Sequence, residues 1–250
     1  MAQKYFRGQG RLFVRAATGS NDSLRWVGNV SDLMINTTQN KQDHQESYTG
    51  ERRTDLRMVT TTQVTFSATL ENTIKENWQL AFKGSAASQA GATITNESHT
   101  APAVGGFFAL SKKYISAMTS ITSDPAGTTY TAGTDYITAL PSNIIEIPSG
   151  STMAGDAILC NYTCGTADVV GAFNATSADQ YFYFDGLNTV DSNKPVVIEI
   201  FKVDLDPAQQ ISLISDNLTQ FQMQGTVLYD VTNDQVGADF GGFFKVTQTA

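Results

Sequence analysis

Two stretches of this chain alternate between apolar or small residues and uncharged polar ones, and they limit its architecture more than any motif does. In the first, Val64, Phe66, Ala68 and Leu70 interleave with Gln63, Thr65, Ser67 and Thr69. In the second, Phe221, Met223, Gly225 and Val227 interleave with Gln220, Gln222, Gln224 and Thr226. A period of two puts successive side chains on opposite faces of an extended strand, so each stretch predicts a strand with one buried and one wet face. With 41% hydrophobic and only 16% charged residues, the 250-residue chain has enough apolar surface to build a core around such strands.

Further β-like runs follow the same logic: 12–14, 23–35, 181–184, 196–204 and 240–247, with five short ones between 114 and 162 separated by turn clusters such as Asp124-Pro-Ala-Gly. Two helices are expected. Thr73 and Glu76 match a capping box ahead of the apolar stripe Ile74, Trp78, Ala81 and Phe82, with Gly84 as terminator, which predicts a helix over 73–83. Asp206-Pro207 reads as a cap followed by proline at the first helical position, which predicts a short helix over 207–214. Residues 37–53 are polar and rich in Gln, Asn and Thr, so they read as a long functional loop, and 37–55 is expected to order only against a partner. Residues 84–105 and 165–178 read as linkers by composition. The resulting organisation is a discontinuous β-rich domain, 1–92 with 166–250, carrying a β module at 93–165.

The chemistry-bearing residues are sparse. The two histidines, His44 and His99, stand in no metal-ligand spacing, and no phosphate loop, nucleophile elbow or dinucleotide fingerprint occurs; no metal, cofactor or enzymatic activity is expected. Cys160 and Cys164 read as free thiols near a strand end, because a strand separates them by about 13 Å, too far for a disulfide. Asp204 and Asp206 read as flank and cap of the second helix, and Arg52 and Arg53, between Glu51 and Asp55, as ion-paired loop residues at a contact surface. A net charge of −8 is not the footprint of a nucleic-acid binder. No run is apolar enough to span a bilayer or serve as a leader, so synthesis in a cytoplasm is expected.

The stretch Gly28-Asn-Val-Ser-Asp-Leu, the run from Thr49 to Leu56, and Leu70-Glu-Asn-Thr-Ile-Lys-Glu-Asn-Trp-Gln-Leu-Ala-Phe-Lys-Gly84 resemble the major tail tube proteins of long, non-contractile-tailed bacteriophages. So do Tyr183-Phe-Asp-Gly-Leu-Asn188, the run from Lys194 to Val203, Asp206-Pro-Ala and Gly225-Thr-Val-Leu-Tyr-Asp230. The resemblance implies a mainly β fold, a β-sandwich or half-barrel with a flanking helix and an inserted outer β module. It implies a virion structural protein, made in the bacterial host, whose hexameric rings stack into a tube with tape-measure and tail-end proteins as partners. DNA would pass through without specific binding. Under that reading Asn40, Lys41, Asp43, Glu46, Tyr48, Glu51, Arg52 and Arg53 form an inter-ring loop. Gln63, Thr65, Ser67, Thr69, Gln220, Gln222, Gln224 and Thr226 face the bore, where six copies at −8 give a ring of about −48, the sign of phosphate. The alternative is a host- or carbohydrate-binding β module, an adhesin or capsid decoration protein.

Overall fold

A computed structural model describes residues 5–17, 23–174, 178–233 and 241–249. The fold is mainly β. In chain order its elements are β1 (Gly8–Ala16), β2 (Arg25–Trp26), β3 (Val30–Gln45), β4 (Thr54–Leu70), α1 (Lys75–Ala81), β5 (Ser85–Gln89), β6 (Ala92–Thr100), β7 (Phe107–Ala109), β8 (Ile115–Ser123), β9 (Thr129–Tyr130), β10 (Ile137–Thr138), β11 (Ile144–Glu146), β12 (Ala157–Cys164), β13 (Ala167–Gly171), β14 (Gln180–Asn188), β15 (Lys194–Asp206), β16 (Phe221–Val227) and β17 (Phe244–Gln248). They fall into two compact units, residues 1–86 with 170–250, and residues 87–169.

The first unit is one antiparallel sheet in the order β2-β1-β14-β15-β16-β4-β3, with β17 added to β15. The sheet curls over its apolar face. Phe66 on β4 stacks on Phe182 of β14 at 4.4 Å although two strands lie between them in the hydrogen-bonding order. Around this pair Leu12, Val14, Val64, Leu70, Ile200, Val203, Phe221 and Met223 are buried, and Ala81 and Trp78 bring α1 against the same face. Both alternating stretches supply their apolar faces to this core.

The second unit has its own core, with Ile121, Ile145, Ile147, Ile158 and Tyr162 among its buried residues. It is built from a four-stranded sheet, β6-β12-β8-β9, and a three-stranded one, β10-β11-β7. Cys160 and Cys164 are free and buried four residues apart along β12, and burial pushes the Cys160 thiol up to about 12.

Five sequence expectations are corrected. Residues 37–53 are not a structureless loop: β3 and β4 continue their ladder to Gln45 and Thr54, leaving only 46–53 as a turn. Both faces of this ribbon are solvated, so it has no apolar period to betray it. The helix is shorter than 73–83, and no Thr73 cap forms. Buried Asn77 ties it down instead, donating to the carbonyls of Val27 at 2.7 Å and Asn72 at 2.8 Å and accepting from Arg25 at 2.8 Å. Lys83, at φ +46°, takes the left-handed position. Gly84 is needed for another reason, since a Cβ there would lie 2.2 Å from the Gly171 carbonyl. No helix follows Asp206: β15 runs through that residue, and Ala208 donates its N–H to Ala81 at 2.7 Å. Finally, the linker-like 84–105 contains β5 and β6, and 165–178 contains β13, which pairs with β5. The expected strand 23–35 is interrupted at Gly28, whose φ of +93° only glycine adopts readily. The strand expected from Phe240 begins outside the described residues.

Candidate functional site

Two surfaces of the first unit are built from the polar residues singled out above. The first is the outer face of β3, β4 and β16. Because β4 and β16 pair in register, Thr69 lies opposite Gln222, Ser67 opposite Gln224 and Thr65 opposite Thr226. Separate alternating stretches thus merge into one patch, while their partners Phe66, Ala68 and Met223 fill the core. Gln220 stands just beyond β16 and donates to Glu71 at 3.2 Å. Gln63 lies past the last pairing with β16, opposite Thr38.

The register also adds residues that sequence reasoning left out. Asp32 and Asn36 flank the patch from β3, and Asp204 and Asp206 from β15, opposite Thr226 and Gln224. The Lys83 ammonium lies 3.1 Å from Asp204. The signal was available in the alternation of each neighbouring strand, but which strands are neighbours was not. Asp204 and Asp206 therefore belong to a wet sheet face rather than to a helix cap.

The second surface is the arm formed where β3 and β4 run on together beyond the edge of β16, whose pairing with β4 stops at Val64. Cross-strand polar pairs hold it. Asn40 donates to Thr61 at 2.9 Å, Arg57 to Asp43 at 2.6 Å, and His44 meets Asp55 at 2.7 Å. The Arg57 hydrogen bond lowers the Asp43 carboxyl and the His44 one lowers Asp55. One arm face carries Lys41, Asp43, Arg57 and Val59; the other carries Gln42, His44, Leu56 and Met58. Leu56 and Met58 are 52% and 44% exposed.

The turn at the tip is organised by Glu46. Its carboxylate accepts from the Thr49 hydroxyl and from the backbone N–H groups of Tyr48 at 2.9 Å and Thr49 at 3.0 Å, with Arg53 N–H at 3.4 Å. The Thr49 hydroxyl and these amides, which favour the charged form, bring its carboxyl down to about 2. Tyr48 then projects into solvent, Glu51 pairs with Arg53, and Arg52 sits at φ +48°. The single chain thus supplies all the hydrogen-bonding groups that fold the tip.

Elsewhere the polar clusters have local structural partners. Glu97 accepts from His99 at 2.7 Å, from Ser111 and from Tyr162. Burial would raise its carboxyl, but these donors outweigh it and bring it to about 2. Asp135 accepts from the N–H groups of Thr131 and Thr152 and closes a turn. Among the described residues no cluster has the composition of a metal site, and no helix is long and apolar enough to cross a membrane.

A family model described as "Protein of unknown function UCP028589" matches residues 5–247, and the chain belongs to that family. No curated protein matches it.

Proposed function

We propose that this member of the family is a structural virion protein that polymerises, as stacked hexameric rings, into the tube of a long non-contractile phage tail, a conduit for DNA. The observation that carries the reading is β3. It is 16 residues long, ends the sheet, and leaves its outer row of backbone N–H and C=O groups without a strand partner among the described residues. Such an edge is a template for another chain, and soluble proteins normally shorten, twist or cover it. The arm points the same way. A two-stranded ribbon is marginal alone in water, so one that exposes Leu56, Met58 and Val59 is built to be covered.

A head-to-tail edge contact closes into a ring when its rotation divides the circle. The wet face then suits the bore, being uncharged along β4 and β16 and bordered by carboxylates on β3 and β15. Each cation facing the bore would add counterion-release affinity for DNA and slow its passage. The module at 87–169 would decorate the outside, with tape-measure and tail-end proteins as further partners.

Negative-stain microscopy of concentrated, purified protein tests the reading. Rings or hollow rods of uniform diameter are expected. Strictly monomeric protein at every concentration, with no assembled species, overturns it.

A further inference from the structure

An apolar slot of about 400 Å³ opens in the first unit between the two ends of the curled sheet. Its walls include Leu12, Leu33, Ile35, Phe184 and Ile198, and Asp32 is its one ionisable lining residue. The slot lies between two strand edges without partners among the described residues. β1 meets β2 at Phe13 and Val14, and the Leu12 carbonyl accepts from the Val27 N–H at 3.0 Å, which leaves Gly8 to Arg11 open, and β3 is open along its outer side. A curled sheet that stops short of closure is shaped to receive an extended segment with an apolar face.

Resting on the self-assembly reading, we propose that the occupant is the arm of a second copy, seated by its Leu56–Met58 face. Charge separates three of the exposed apolar clusters among the described residues as occupants. The 207–220 loop exposes Leu213, Ile214 and Leu218, but Asp216 lies among them. The outer face of β10-β11-β7 exposes Phe107, Ile137 and Ile144 around Glu146. Either would bring a further carboxylate to a molecule that already carries the excess negative charge, with exposed Asp32 at the rim of the slot, and like charges repel. The Leu56–Met58 face carries Gln42 and His44 instead, and the Asp55 carboxylate beside it is already bound to His44. Over residues 36–57 four cations match four carboxylates, so the arm is neutral and the whole −8 resides elsewhere. The occupant must also be another molecule. The slot is lined by the base of β3, and Gln42, level with Met58, lies about 30 Å further along the same strand. A ribbon continuous with its base does not fold back into it.

The full-length double variant Ser31→Cys/Met58→Cys tests this, with Gln9→Cys/Met58→Cys as a second pair; Ser31, Gln9 and Met58 are exposed. The native cysteines are buried and do not interfere. Mild oxidation of assembled protein is expected to give a ladder of covalent oligomers on a non-reducing gel for both pairs. Rings or rods that form normally but give no ladder with either pair overturn the slot assignment and leave the assembly reading standing. A ladder from Ser31→Cys/Ile214→Cys, and none from Met58→Cys, makes the 207–220 loop the occupant and also overturns it. Absence of any assembled species removes the assembly reading and the slot assignment with it.

Discussion

Glu46 shows how one buried carboxylate organises a solvent-exposed turn. Its folded value of about 2 lies below the ordinary 4.5, so its contribution to tip order is complete above about 4.5 and is lost as pH falls through about 2. Hydrogen-exchange protection at the Tyr48 and Thr49 amides should therefore persist from neutral pH to about 3 and vanish below about 2. Glu46→Ala should abolish that protection at every pH while the protection of Phe66 and Phe221 stays unchanged. Equal protection in variant and parent would show that the turn is held by other means. Glu97 makes a parallel case in the second unit. Glu97→Ala strands the Tyr162 hydroxyl and the Ser111 donors, a loss of roughly 1–3 kcal/mol, readable as a lower urea midpoint for that unit alone.

At the scale of elements, the 30–70 hairpin divides into a base that serves the core and an arm that does not. Every residue from Asn36 to Gln63 except Glu46 is exposed, whereas Val64, Phe66, Ala68 and Leu70 are buried. Replacing residues 39–62 by a two-residue Asn-Gly turn should leave the thermal transition of the first unit within a few degrees of the parent. Sedimentation should then find the protein monomeric at concentrations where the parent assembles. Normal rods from the shortened chain would exclude the arm from assembly. Phe66→Ala acts on the base: it removes the stacking partner of Phe182 and should cost about 3–5 kcal/mol.

For the whole molecule, two separate cores predict two unfolding events. Phe66→Ala should lower one calorimetric transition and Ile121→Ala the other, while a single transition moved equally by both substitutions would mean the units unfold as one. The wet face makes a claim about the assembled object. Gln63→Lys/Gln222→Lys should still form rods, because both positions are exposed. It should also retain DNA at low salt and release it as salt rises. Rods of the variant that ignore DNA would place this face away from the bore.

What could be read from the chain depended on whether a residue's neighbours in sequence are also its determining neighbours in space. Val64 to Leu70 and Phe221 to Val227 declared their strands because one face of each is buried, and burial imprints a period of two. The arm escaped because both its faces are wet, leaving no period to imprint. In place of the Thr73–Glu76 cap, Asn77 anchors the helix through Val27 and Asn72, close in space but, for Val27, distant in sequence. The polar members of the candidate bore face were legible one strand at a time. That they form a single patch, that Asp32, Asp204 and Asp206 join it, and that an apolar slot opens beside β3 were decided by strand order and sheet curl. Those are set by long-range packing, such as Phe66 against Phe182, which no local pattern encodes.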